Sequence, residues 1–329
     1  MTTRDLISAD NRDVKEECIY NLNPKLLALL LYDQTAEHNI KWATNDYSSN
    51  GSMFGMDDPI SVSSVTGEYN TLIRPRILKE QSEQESRIRD KAEVFTPSWV
   101  CNAQNNLVDN AWFGRGGVFN IETGNGWKTV TDKIEFTERS WKEYVTAARL
   151  EISCGEAPYL TSRYDTVTGE YIEVSDRIGL LDRKLRIVSE NTDNADDWLL
   201  WALKAVKSIY GYDWQGDNVL LSRENILYAV LEAYYALYDC ELSNETVMEF
   251  CKVISWNIWQ MDGIRYVIPN TCHEEDNQVT VDGISRGRTF CHGCKTNSMF
   301  AHNGIYSNIM DWETGETIRY VDLVGRRRF

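Results

Sequence analysis

The chain has 329 residues, ample for a sizeable core and for one large or two smaller domains. Apolar residues make up 42% and charged residues 26%, the balance of a globular protein, and no apolar run reaches the ~20 residues of a membrane span. Fifty acidic against 34 basic residues give a formal charge of −16, which opposes broad contact with nucleic-acid phosphates unless basic groups are locally concentrated.

Met1 to Asp13 is polar and mixed in charge, unlike a secretory leader. Eight cysteines without a leader fit a reducing cytoplasm, so a cytoplasmic location is expected. Residues 1–22 read as a loose terminus. Asn23-Pro24 opens a helix with an apolar face at Leu26, Leu27, Leu29, Leu30 and Leu31. Asn45 to Ser64 reads as a loop, and Leu78 to Ala92 as a charged helix. Basic residues gather there (Arg74, Arg76, Lys79, Arg87, Arg89 and Lys91), but Glu80, Glu83, Glu85 and Asp90 interleave with them. That pattern predicts a solvated, salt-bridged helix rather than a DNA-contacting one. Arg326-Arg327-Arg328 forms a second basic cluster.

Pro97 starts the next helix, which Gly114, Gly116 and Gly117 end. A hairpin is expected around Gly124-Asn125-Gly126. Lys142 to Ala148 reads as a short helix feeding a strand at Leu150, with Leu150 and Ile152 on one face and Cys154-Gly155 ending it in a turn. Asp196 to Ile209 has helical spacing, Tyr210 to Asp213 ends a strand, and Ser222 is read as the cap of a long helix. Ser243 to Lys252 is read as a helix and Val253 to Trp259 as a buried strand. This alternation predicts a parallel α/β sheet. Three regions follow: an N-terminal helical region over 1–90, an α/β domain over 91–268, and a Cys/His-containing appendage over 269–329.

Four segments stand in order: Phe95-Thr96-Pro97, Cys154-Gly155-Glu156, Gly211-Tyr212-Asp213 and Gln260-Met261-Asp262-Gly263. In that order they resemble the S-adenosylmethionine-binding half of an adenine-N6 DNA methyltransferase. Ile40-Lys41-Trp42-Ala43-Thr44 and Asn303-Gly304-Ile305-Tyr306 extend the likeness, and the chain is similar to restriction endonuclease subunit M proteins from about Leu26 to about Leu323. The resemblance implies a Rossmann-like methyltransferase sheet with an N-terminal helical region and a small C-terminal appendage. It also implies S-adenosylmethionine as cofactor, DNA as the eventual partner and a restriction-modification protein as companion.

The chemistry of that cofactor assigns roles. Asp213, with Asp217 as a weaker candidate, would accept the ribose hydroxyls at a strand end. The Gly155 turn, bracketed by Glu151 and Glu156, would let the methionine end approach the backbone. Thr96, between Phe95 and Pro97, would hold the amino-acid end, and Asp262 would accept from the adenine amine. One element of the family pattern is missing. An Asn-Pro-Pro-Tyr loop holds and stacks the flipped adenine, but no two of the six prolines here are adjacent. A partner or a further segment would have to supply it, or the protein binds without catalysing. The alternatives are a non-catalytic acidic regulatory protein or a DNA mimic, both acting through protein contacts.

Separately, Cys272-His273, Cys291-His292-Gly293-Cys294 and His302 have zinc-ligand spacing, with Cys272, Cys291, Cys294 and His302 or His273 as ligands of a structural site. The remaining cysteines read as apolar filler. No Ser/His/Asp triad, phosphate loop or nuclease carboxylate cluster stands out.

Overall fold

The computed structural model describes residues 2–3, 12–91, 96–276 and 288–326. Helix α1 (Glu16–Leu22) lies in the stretch expected to be loose, and Ile19 buries it in the core. Helix α2 (Pro24–Leu31) begins as its sequence predicts. The Asn23 side chain accepts the Lys25 N–H at 3.0 Å, and Pro24 takes the first turn, where its missing donor has no partner to lose. Strands β1 (Tyr32–Asp33) and β2 (His38–Asn39) pair antiparallel. After turns and short 3₁₀ segments come α3 (Gln81–Lys91) and α4 (Ser98–Phe113), the latter closed by Gly114 at φ 65°. The expected hairpin is β3 (Asn120–Thr123) and β4 (Gly126–Thr129).

Next, α5 (Trp141–Thr146) feeds β5 (Arg149–Ile152). Two helices, α6 (Leu180–Asn191) and α7 (Ala195–Lys207), lead to β6 (Ile209–Asp213). Two more, α8 (Gly216–Tyr238) and α9 (Asn244–Asn257), lead to β7 (Ile258–Gln260). These three strands form a parallel sheet in the order β5-β6-β7, with Arg149 opposite Ile209 and Gly211 opposite Ile258. Helical crossovers are what parallel pairing requires. The remainder is β8 (Glu275–Asp276) paired with β9 (Arg288–Thr289), the short helix α10 (His292–Thr296), the antiparallel pair β10 (Asn308–Met310) and β11 (Thr317–Arg319), and α11 (Tyr320–Arg326). The protein is thus mixed helix and sheet, and no described helix is long and apolar enough to cross a membrane.

Side chains on the sheet alternate between two cores. Ile209 and Ile258 join the main core, which also takes Leu26 and Leu30 from α2, Leu181 from α6 and Phe250 from α9, and so draws on both sides of the 90/91 boundary. Tyr212 and Trp259 face a second, smaller core with Met261 and Ile309, against which Tyr320 packs 5.2 Å from Trp259.

Four expectations need correction. Val253 to Asn257 is helical, and only Ile258 to Gln260 is strand; a short apolar run does not tell a buried helix from a buried strand. Ser222 lies inside α8 rather than at its cap. The helix starts at Gly216, where only glycine fits, since a Cβ there would stand 2.0 Å from the Lys41 carbonyl oxygen. The apolar face of β5 is its outer one: Leu150 is 45% and Ile152 64% exposed, while Glu151 is buried. Among the described strands β5 pairs with β6 alone, so it is an edge. Cys18 and Cys240 are not fully buried filler either.

The charged helix also differs from its expectation, because Lys79 and Arg87 are buried. Both reach Asp217 in the first turn of α8, Arg87 at 2.8 Å and Lys79 at 3.5 Å, and the Tyr47 hydroxyl donates to the same oxygen at 2.6 Å. The two cations hold the Asp217 carboxyl well below the usual carboxylate range despite its burial. Asp217→Asn strands two buried cations, so it should lower stability by about 3–5 kcal/mol. The exposed Asp193→Asn should stay within about 0.5 kcal/mol. Urea unfolding of both variants measures the difference.

Candidate functional site

The turn after β5 holds three residues in the left-handed region. Ser153, Gly155 and Ala157 all have positive φ, at 49°, 53° and 61°. For Ser and Ala this conformation costs roughly 1 kcal/mol or more each, and it persists only where neighbours over-determine it. Asp213, at the end of β6, accepts the Gly155 N–H at 3.0 Å with one carboxylate oxygen and the Gln215 N–H at 3.0 Å with the other. Helix α8 holds the opposite side: the Ser222 hydroxyl donates to the Gly155 carbonyl, and Asn225 donates to the Glu156 carbonyl at 2.9 Å. The Glu156 carboxylate accepts the Arg76 N–H at 2.6 Å and the Tyr164 hydroxyl at 2.7 Å. A Cβ on Gly155 would meet nothing within 4 Å, so one side of the turn faces open space.

Glu151, Gly155, Glu156 and Asp213 are therefore brought together. Burial pushes the Glu151 carboxyl up to about 8, although the Tyr159 and Leu160 N–H groups donate to it at 3.4 and 3.2 Å. Tyr159 links this group to Thr96, whose carbonyl also accepts the Thr166 hydroxyl at 3.0 Å. Asp262 ends the neighbouring strand segment, since the Met261 N–H donates to the Asp213 carbonyl at 2.9 Å. Its own carboxylate accepts the Ile264 and Arg265 N–H groups at 2.8 and 3.0 Å, the pattern of a turn. Pro97 lines a separate crevice, and Phe95 lies outside the described residues. Asp217 belongs to the Lys79–Arg87 cluster and not to the strand ends.

The segment Lys41 to Ala43 crosses the ends of β6 and β7. The Gln260 side chain donates to the Lys41 and Trp214 carbonyls, each at 2.8 Å, and accepts the Lys41 N–H at 2.9 Å, while Trp214 donates to the Ala43 carbonyl at 3.0 Å. Sequence reasoning missed Tyr159, Ser222 and Asn225 as holders of the turn. The one available signal was the i, i+3 spacing that puts Ser222 and Asn225 on the same helix face.

The second site is a Cys/His centre. Cys272, Cys291, Cys294 and His302 place their ligand atoms within 4.8 Å of one another. His302 Nδ1 lies 3.6 Å from each of the three sulfurs. Tetrahedral zinc with ordinary Zn–S and Zn–N bonds sets that sulfur–nitrogen edge at roughly 3.6 Å. His273 is not part of the set; its N–H donates to the Asn303 side chain at 3.2 Å. Gly293 is required, because a Cβ would stand 2.6 Å from the His302 ring and backbone. Burial opposes ionisation of the Cys291 thiol, but the Asn303 N–H, donating to its sulfur at 3.3 Å, and the neighbouring Cys294 N–H bring it down to about 6. Burial and the facing thiols hold Cys272 up to about 12. A dication resolves that conflict by favouring every thiolate at once. Four protein ligands close the coordination sphere, which suits a structural ion.

No family model, curated protein or solved structure matches the chain.

Two outcomes are expected. Metal analysis of the purified protein should give about one zinc per chain, and Cys291→Ser should lose it with a lowered melting temperature; metal-free protein that melts unchanged would refute the centre. Glu151 binds its proton more tightly folded than unfolded, so its contribution to stability falls as pH rises from the usual carboxylate range towards about 8. Wild type should therefore lose melting temperature between pH 5 and pH 8 more steeply than Glu151→Gln, as read by thermal scans across that window.

Proposed function

We propose that this chain is the S-adenosylmethionine-binding modification subunit, or half-subunit, of a DNA restriction-modification system, with a Rossmann-like sheet. The supporting observation is the tie between Asp213 and the Gly155 N–H. It joins the strained glycine turn ending β5 to a carboxylate ending its parallel neighbour β6, where open α/β sheets bind their ligands. The open side of Gly155 would receive the methionine end of the cofactor, with Glu151 and the Thr96–Tyr159 pair as the adjoining polar groups. Zinc at Cys272, Cys291, Cys294 and His302 would staple the segment leading to β10, which covers the Tyr212–Trp259 face.

Turnover needs more than this chain. An adenine amine offers its lone pair poorly until two acceptors hold its hydrogens, and no Asn-Pro-Pro-Tyr loop is present to do so. DNA would be engaged through a partner chain or a segment outside this sequence, since the net charge of −16 works against the duplex.

A second reading is favoured by one feature of the site. The carboxylates of Glu156, Asp213 and Asp262 already accept backbone N–H groups, and Lys41 to Ala43 lies across two strand ends. Such a site suits a non-catalytic acidic protein that works through protein contacts.

Calorimetry with S-adenosylmethionine separates the two. The first reading expects saturable heat, weakened about tenfold or more by Gly155→Val, whose branched side chain must adopt φ near 53° on the ligand's side of the turn. It expects no tritiated methyl transfer to unmodified DNA by the chain alone. Absence of heat at millimolar cofactor, with folded protein, leaves the protein-contact reading.

A further inference from the structure

A crevice of about 830 Å³ lies between the start of α4, the β3–β4 hairpin and the loop over residues 165–176. Its size is that of a small-molecule site, within the ~300–1,000 Å³ such sites span. Three aromatic side chains line it: Trp99, Trp127 and Tyr171. Two of them are held in place at their polar edges. The Trp127 indole N–H donates to the Asp176 carbonyl at 2.9 Å, and Arg177 donates to the Tyr171 hydroxyl at 3.0 Å. The loop wall is rigid for the same kind of reason: Asp165 accepts the Ser98, Val167 and Thr168 N–H groups at 2.7, 2.9 and 2.7 Å.

The polar lining is unbalanced. Asp165, Glu170 and Asp176 supply three carboxylates, and among the described residues of the lining Lys128 is the single cation. Thr129 donates to one Asp176 oxygen at 2.7 Å, which orients that carboxylate from the hairpin side. Aromatic walls favour a flat ring, with stacking as the gain. An excess of acceptors favours a ligand that brings hydroxyl and amine donors, and like charge disfavours a phosphate.

We propose that this crevice binds a nucleoside: a flat base with amine and hydroxyl donors and no phosphate. The site is separate from the Gly155 turn and does not depend on it. Trp127 stacks the base, and Glu170 and Asp176 accept from the ligand while excluding the nucleotide form.

The test is calorimetry of the full chain with adenosine, AMP and maltose. Adenosine should bind saturably in the millimolar range or tighter. AMP should bind at least threefold more weakly at low salt, with the gap narrowing as salt screens the carboxylates. Trp127→Ala should weaken adenosine about tenfold while Trp127→Phe retains most of the affinity; both sit on a hairpin, and circular dichroism checks the fold. Glu170→Gln should shrink the difference between adenosine and AMP. No saturable adenosine heat on folded protein, equal affinity for AMP at low salt, indifference to Trp127→Ala, or a preference for maltose would each overturn the proposal.

Discussion

The guanidinium of Arg223 is the interaction on which the architecture turns. It is fully buried in the middle of α8 and meets carbonyl oxygens rather than a carboxylate: Leu30 at 2.7 Å and Tyr32 at 2.9 Å from the end of α2, and Ser255 at 3.1 Å and Ile258 at 2.8 Å from the end of α9. Helix C-termini carry partial negative charge and unpaired carbonyls, so one planar cation satisfies two helix ends at once. Burial still lowers its proton affinity, to about 10. The entry of the chain into β1 and its entry into β7 are thereby fixed by the same side chain.

Other polar groups on α8 repeat this arrangement in different directions. Asp217 gathers the N-terminal region through Lys79 and Arg87, Ser222 and Asn225 hold the turn after β5, and Glu232 takes Arg163 and Arg177. Neighbouring α6 works likewise: Arg183 binds Asp109, Asn102 and Asn106, while Lys184 binds the carbonyls of Val145 and Ala147 ahead of β5. A helix that is buried nearly all round cannot be positioned by an apolar stripe alone. Directional, charge-assisted bonds supply the orientation. Glu224 departs from the pattern. Both its oxygens are buried without a hydrogen bond among the described residues, and burial, with Glu16 nearby, pushes its carboxyl well above the usual carboxylate range.

This division explains what was legible in the residues. Local chemistry was: the Asn23-Pro24 start, the Gly114 stop, the Gly124-Asn125 hairpin, the strand at Tyr210 to Asp213 and the spacing of Cys291 and Cys294 depend on neighbours in sequence. What depended on distant partners was not. Glu151 reads only as one flank of the Gly155 turn until the Tyr159 and Leu160 N–H groups are seen to claim it. Lys79 and Arg87 read as solvated until Asp217, 138 and 130 positions further along the chain, is seen beside them. His273 and His302 were equivalent ligands by spacing, and only the loop closed by Gly293 chooses between them.

The outer edge of β5 bears on how copies of the chain meet. A parallel edge strand with no partner on its outer side among the described strands, carrying Leu150 and Ile152 toward solvent, is a template on which another strand can register. No proline interrupts it, and its one cation, Arg149 at its first position, is a weak gatekeeper. The chain's surplus of carboxylates then takes on a colloidal role. Long-range repulsion between equally acidic molecules keeps these edges apart, so the charge that discourages binding to a duplex also protects the open sheet from itself.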